Sequence, residues 1–266
     1  MTGVDPSTFV DLQRYPLTDS GGEGARLATR CREDLNRRGA CVLEGFIRPD
    51  ALRRFVDECA SLESQSHHNA LTGNAYLGET DDSLPADHPV NMTDTTALGV
   101  VAYDQIPPNH GLRRLYEWPV LLDFLARAAG KKELYYYECP LGAMNIAVMK
   151  QGDYLRWHFD QSDFVVSIPV RDPGGGGLFE YARHIRSADD EHYEDVAAVL
   201  RGDRSRVEVL DCPPGSLVLF EGRYTLHRVT PIQGSRTRLT ALLGYADRPG
   251  VVSSEHLRMI RYGRVS

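Results

Sequence analysis

Lysine is scarce in this chain: Lys131, Lys132 and Lys150 stand among 30 basic residues, which face 37 acidic ones. The formal charge of -7 leaves no broad cationic face to neutralise a phosphate backbone or to dock on anionic lipid, so neither nucleic acid nor a membrane surface is an expected partner. No apolar run reaches the roughly 18 residues that a membrane span needs. The stretch from Met1 to Arg14 lacks the basic-then-apolar character of a secretory signal, and a cytoplasmic location is expected. The 5 cysteines (Cys31, Cys41, Cys59, Cys139 and Cys212) form no C-x-x-C pair and no zinc spacing, which excludes a disulfide framework and predicts reduced thiols.

What is present divides the 266 residues into two regions. Residues 1–132 read as helical, and 133–266 as mainly strand, within one compact unit. Over residues 22–38, Leu27, Cys31 and Leu35 recur at helical spacing, and Gly39 stops the helix. After a short apolar strand, Ala40 to Leu43, Asp50 is the expected cap of a second helix through Leu62, with Leu52, Phe55, Val56 and Cys59 on one face. A third helix is expected from about Gly111 to Ala129. Residues 64–107 are polar and interrupted by Gly73, Gly78, Pro85, Pro89, Pro107 and Pro108, which predicts an irregular, lid-like segment.

From Glu133 the period changes to two. The runs 133–138, 144–150, 164–170, 177–182, 207–212, 216–222 and 236–246 are rich in Val, Ile, Leu, Phe and Tyr and separated by turn residues, which implies a sandwich or open barrel. A helical insertion over 189–201 interrupts them. The glycines at 174–177 lack the G-K-[ST] ending and the following helix of a phosphate loop, and read as a strand-linking turn.

The chemistry concentrates in Arg156-Trp-His-Phe-Asp160. In extended chain, residues i and i+2 face one side, so His158 and Asp160 offer an imidazole nitrogen and a carboxylate oxygen together. His227, beyond a Pro-Gly turn and an apolar strand, is the best third ligand. Two histidines and one carboxylate on one face of an octahedron leave three open positions, the arrangement of non-heme Fe(II) oxygenases. A bidentate oxoacid and O2 fill these positions, and the oxoacid's second carboxylate calls for an arginine fork. Arg238 is favoured for that role, with Arg236 second, and Thr240 adds a hydroxyl two residues on.

H-x-D, a distant His, and Arg with a hydroxyl two residues later resemble the 2-oxoglutarate oxygenase superfamily. The resemblance implies an α+β fold with a mainly β core: a double-stranded β-helix, the cupin-like jelly roll, with N-terminal helices packed against it. Pro140 to Asn145, Gly152-Asp153, Trp157 to Asp160, Gly175 to Tyr181, Phe220 to Arg223, His227 to Pro231, Arg14 to Leu17 and Val101 to Pro107 look like the bacterial family of freestanding amino-acid hydroxylases and radical halogenases. Halogenases of that kind carry a small residue where the carboxylate ligand would stand. Asp160 therefore implies hydroxylation, with Fe(II), 2-oxoglutarate and O2 as cofactor and cosubstrates. Met149 stands where many such oxygenases place a tyrosine against the oxoacid.

The implied substrate is small and polar, a free L-amino acid. Glu138, Asn145, Gln161 and Asp163 are the candidate substrate contacts around the metal motif. A homodimer is compatible with this reading. Desaturation or cyclisation at the same iron, and a jelly-roll binding or sensing protein without turnover, are the alternatives.

Overall fold

A computed structural model describes residues 5–266; the first four residues of the stretch read for a signal lie outside it. The helices are α1 (Glu23–Arg38), α2 (Pro49–Leu62), α3 (Gly111–Tyr116), α4 (Pro119–Ala128), α5 (Tyr193–Leu200) and α6 (Glu255–Tyr262). The strands are β1 (Ala40–Leu43), β2 (His67–Gly73), β3 (Asp94–Val101), β4 (Tyr135–Tyr136), β5 (Met144–Met149), β6 (Leu155–His158), β7 (Val165–Arg171), β8 (Phe179–Ala182), β9 (Glu208–Val209), β10 (Leu217–Phe220), β11 (Leu226–Val229), β12 (Arg238–Leu243) and β13 (Tyr245–Ala246).

From β5 to β12 the chain passes back and forth between two antiparallel sheets, with the consecutive β8 and β9 both in the minor one, and β13 pairs with β4 apart from them. The major sheet runs β1-β10-β7-β12-β5-β3-β2 and the minor sheet β6-β11-β8-β9. That alternation is the double-stranded β-helix, open at its edges rather than closed into a barrel. Period-two patterning splits the major sheet into two faces. Ile146, Val148, Val166, Ile168, Leu217, Leu219, Leu239, Ala241 and Leu243 pack outward against Leu27, Cys31, Phe55, Leu121, Phe124 and Leu125 of α1, α2 and α4. The opposite face looks at the minor sheet: Met149 packs with Leu155, Phe179 and Val229, and Val218 and Phe220 pack with Tyr181. Helices and sheet thus share one hydrophobic cluster across both regions of the chain.

Several expectations are corrected. The segment 64–107, read as irregular, contains the β2-β3 hairpin, in register from His67 opposite Val100 to Gly73 opposite Asp94. Its half-exposed edge strand, HHNALTG, carries no apolar alternation, so backbone pairing rather than side-chain burial defines it. Between the strands the chain is irregular but ordered by buried Asn74, whose amide donates to the carbonyls of Gly78, Glu79 and Val90. The third helix is two, because Pro119 starts α4 and its ring forbids continuous helix through residues 117–118. Asp50 does not cap α2: Arg48 is the cap residue, Pro49 opens the helix, and Asp50 sits in the first turn, where its charge suits the helix dipole. Helix α6, capped by the Ser254 hydroxyl, was not expected.

Cys31, Cys41, Cys59 and Cys139 are buried and Cys212 half-buried, all as free thiols. No described helix is long and apolar enough to cross a membrane.

Phe124, fully buried between helix and sheet, tests the shared cluster. Phe124→Ala is expected to cost about 3–5 kcal/mol in urea unfolding monitored by circular dichroism. A loss under 1 kcal/mol would mean the helices are not cemented to the sheet.

Candidate metal centre

Strand pairing makes the site. In the minor sheet β11 lies antiparallel to β6 with His227 directly opposite His158, and the ladder shifts register immediately beyond, between His227 and Val229. The ring centroids stand 4.1 Å apart. Asp160 follows two residues after β6 ends, so it is held by a turn and not by strand parity as the sequence suggested. Its N–H donates to the Gly222 carbonyl at 2.9 Å, and the Phe159 N–H donates to Ala75 O at 2.8 Å.

His158 Nε2 then lies 3.8 Å from Asp160 Oδ1, and His227 Nε2 lies 3.4 Å from Asp160 Oδ2. One ligand atom from each of the three residues falls within 4.8 Å of the others. Both rings are fixed through their other nitrogen: His158 Nδ1 donates to Arg156 O at 2.9 Å, and His227 Nδ1 to Thr225 O at 3.0 Å. With the proton on Nδ1, each Nε2 carries a lone pair aimed at the shared space, the tautomer a metal requires. Phe179 stacks on His227 and Phe220 meets its edge. Burial pushes the His158 pKa well below the ordinary histidine value, and the neighbouring His227 pushes it the same way, against the hydrogen bond to Arg156. Two buried imidazoles whose Nε2 atoms share one space with a carboxylate fit a divalent transition ion, and the N2O donor set fits iron among them.

Across the sandwich, Arg238 pairs with Met149 and Thr240 with Ala147, all on the inward face. Arg238 Nη1 reaches Met149 Sδ at 3.8 Å, and among the described residues no carboxylate forms an ion pair with this guanidinium. Burial lowers its pKa, with weak opposition from Cys212 and Asp172. The Thr240 hydroxyl is buried and has no hydrogen-bond partner. A cation with no carboxylate partner beside a buried hydroxyl with no hydrogen-bond partner is an arrangement that suits an anion. Arg236, by contrast, is exposed and bound to Asp172 through both its carbonyl and its carboxylate.

Asn145 continues the inward face one row beyond Ala147; it is buried, and its Oδ1 has no donor. The remaining candidates are engaged elsewhere. Glu138 is exposed and accepts the Gly250 N–H at 2.9 Å. Asp163 bridges Lys131 and Arg223, each at 2.8 Å, and these two cations hold its pKa down, Lys131 foremost. Gln161 offers its carbonyl to Arg223.

Sequence reasoning reads Trp157 as packing and leaves Glu180 open between a role at the site and none. Behind the two histidines, Glu180 takes the Arg204 fork at 2.5 and 2.8 Å and Arg228 Nε at 2.8 Å, while the Arg228 guanidinium lies 4.7 Å from the Trp157 ring centroid. Each of Trp157 and Arg228 is the chain neighbour of a candidate ligand, so this ion cluster stiffens the strands that carry the imidazoles. Its signal in the sequence is parity: Trp157, Glu180 and Arg228 all occupy outward positions.

The model of the Halogenase D family matches residues 24–256. The chain belongs to that family. Among curated proteins, none matches this member of the Halogenase D family. Its fold is similar to that of an oxidoreductase of the 2OG-Fe(II) oxygenase family from Burkholderia pseudomallei, at 15% identity over 84% of this chain and 92% of that one, with a TM-score of 0.54. It is similar also to a prolyl hydroxylase from Trichoplax adhaerens, at 14% identity over 85% and 91%, TM-score 0.55. A third likeness is to the α-ketoglutarate-dependent epimerase SnoN of nogalamycin biosynthesis, at 13% identity over 84% and 83%, TM-score 0.57. At such identities these likenesses establish the double-stranded β-helix of this Halogenase D family member.

Two outcomes follow from the geometry. His227→Ala is expected to weaken Co(II) binding by at least about 100-fold in calorimetric titration, and unchanged affinity would remove His227 from the site. The arginines around Glu180 hold its pKa below the ordinary glutamate value, although burial opposes them. A depressed carboxylate contributes stability that is complete above the unfolded-state value of about 4.3 and is lost as pH falls through the folded one. Urea midpoints between pH 6 and 3 should therefore fall more steeply in the parent than in Glu180→Gln; parallel slopes would contradict the assignment.

Proposed function

We propose that this chain is an Fe(II)- and 2-oxoglutarate-dependent oxygenase that hydroxylates an unactivated C–H bond of a small polar substrate, a free L-amino acid. The observation that carries this reading is the pairing of the His158-Asp160-His227 set, both histidines buried, with an Arg238 on the opposite wall that has no carboxylate partner. In this reading His158, Asp160 and His227 hold the ferrous ion. When bound, that ion couples oxidative decarboxylation of 2-oxoglutarate to insertion of one oxygen atom of O2 into the substrate C–H bond, giving succinate, CO2 and the alcohol.

The protein's own residues bind and orient. Arg238 takes the distal carboxylate of 2-oxoglutarate, with the Thr240 hydroxyl donating beside it and Met149 packing along the guanidinium. The carboxylate meets a half-buried cation that no protein carboxylate neutralises, already held on the inward face, so little reorganisation is needed on binding. Asn145, one row beyond on the same face, offers an unsatisfied amide to a polar group of the substrate. Gln161 and Asp163 belong to the turn at the mouth, where Arg223 and Lys131 fix its shape. The aromatic flank of Phe179 and Phe220 excludes water from the side of the imidazoles. Reduced thiols throughout suit a cytoplasmic setting.

The family's name raises halogenation as a second reading. Hydroxylation is favoured because the Asp160 carboxylate occupies the ligand position that must stand free for a halide. SnoN is described as an epimerase and SnoK, another structural neighbour, as a carbocyclase, so the fold alone does not choose the oxidative outcome.

The test is a panel of free amino acids supplied with Fe(II), 2-oxoglutarate and O2, with succinate and product mass as readouts. Succinate equal to a product heavier by one oxygen supports the proposal; products lighter by two hydrogens indicate desaturation or cyclisation, and absence of succinate with every member rejects turnover. Arg238→Met should weaken 2-oxoglutarate binding by about 10- to 150-fold, in line with the roughly 1.5–3 kcal/mol of a charged hydrogen bond. Unchanged affinity would remove Arg238 from the oxoacid site.

A further inference from the structure

Gly222 lies in the turn between β10 and β11, on the same short connection that leads to His227. A Cβ placed on it would fall 2.5 Å from Asp160 Cγ and 2.8 Å from Asp160 Cβ, with Oδ2 nearer still. Non-bonded carbons need about 3.5–4.0 Å. The Asp160 carboxylate thus fills the volume that the side chain of any other residue at 222 would claim. Backbone conformation does not explain this glycine, since its φ lies outside the left-handed region. Its reason is space.

The two backbones cannot readily move apart to make more. Asp160 N–H is bonded to Gly222 O, and Arg223, the next residue, holds both the Asp163 carboxylate and the Gln161 carbonyl. On the other side Glu221 N–H donates to Gly39 O at 2.8 Å and its carboxylate meets His184 Nε2 at 2.9 Å. A methyl at 222 is therefore relieved by moving the mobile partner, the carboxylate. The imidazoles are anchored separately, on Arg156 O and Thr225 O, and stay in place.

We infer that Gly222 is a positioning residue for the carboxylate ligand: positions 160 and 222 form a size-matched pair, and the space left at 222 is what allows position 160 to carry a metal-binding carboxylate. The inference rests on the metal-centre reading above. Its consequence is that the third ligand can be withdrawn without touching a ligand residue, by a single methyl on the neighbouring turn. A metal site tolerates only about 0.5 Å of misplacement, less than the clash demands.

Co(II) titration, by calorimetry and visible absorption, on the parent, Gly222→Ala, Asp160→Gly and the double variant tests this. The parent should bind one equivalent and Gly222→Ala about 10- to 100-fold more weakly, while the double variant matches Asp160→Gly within about twofold, because no carboxylate remains to be displaced. Adding Arg223→Ala to Gly222→Ala should restore part of the affinity by letting the turn withdraw. If Gly222→Ala does not fold, the double variant should recover a cooperative melt. Parent-like affinity in Gly222→Ala overturns the inference, as does an equal further loss in the Asp160→Gly background or a double variant that stays unfolded. A parent that binds no Co(II) overturns the metal centre itself, a result distinguishable from these.

Discussion

The structure depends on one register: His227 opposite His158 in the antiparallel pairing of β11 with β6. A slip of one residue by either strand would turn that strand's imidazole to the outer face and part it from the other, because side chains alternate. The register is held from both sides. On the inner face Phe179 and Phe220 enclose His227, and on the outer face Trp157, Arg228, Glu180 and Arg204 form a layer that would be unpaired in any other alignment. Beyond His227 the ladder shifts register and resumes with Val229 opposite Leu155, so the irregularity sits beside the site.

Two kinds of unsatisfied group then face each other across the sandwich. The minor sheet offers Nε2 lone pairs and a carboxylate crowded together; the major sheet offers a guanidinium and a hydroxyl without partners. Each is unfavourable alone, since a buried polar group without a partner costs free energy. Together they suit a cation on one side and an anion on the other. The fold tolerates them because the cost is offset by the hydrophobic cluster that cements α1, α2 and α4 to the outer face of the major sheet.

Much of this was legible in the sequence. The H-x-D spacing singles out His158 and Asp160 with His227 as candidate ligands, period-two alternation aligns Arg238 with Thr240, and that nearby hydroxyl is what favours Arg238 over Arg236; the structure brings the three candidate ligands within 4.8 Å of one another and puts Arg238 and Thr240 on one inward face. Within the segment expected to be irregular, backbone pairing and not hydrophobic pattern makes the polar edge strand His67–Gly73, so periodicity leaves it without a signal. Asp160 reaches the site by a turn stitched to Gly222, and a sequence reading cannot see a tertiary contact between two turns. Among the substrate candidates, Glu138 and Asp163 are drawn off by partners distant in the chain, Gly250 for one and Lys131 and Arg223 for the other. Composition carries no trace of such partners.

The central claim is that three side chains occupy one side of a ferrous ion and leave adjacent positions for a chelating oxoacid aligned by Arg238. Anaerobic addition of Fe(II) and 2-oxoglutarate together should produce the visible charge-transfer band of an oxoacid chelated to ferrous iron, saturating at one equivalent of each per chain. If both bind and no such band develops, the metal and the oxoacid occupy separate sites, and the account is contradicted.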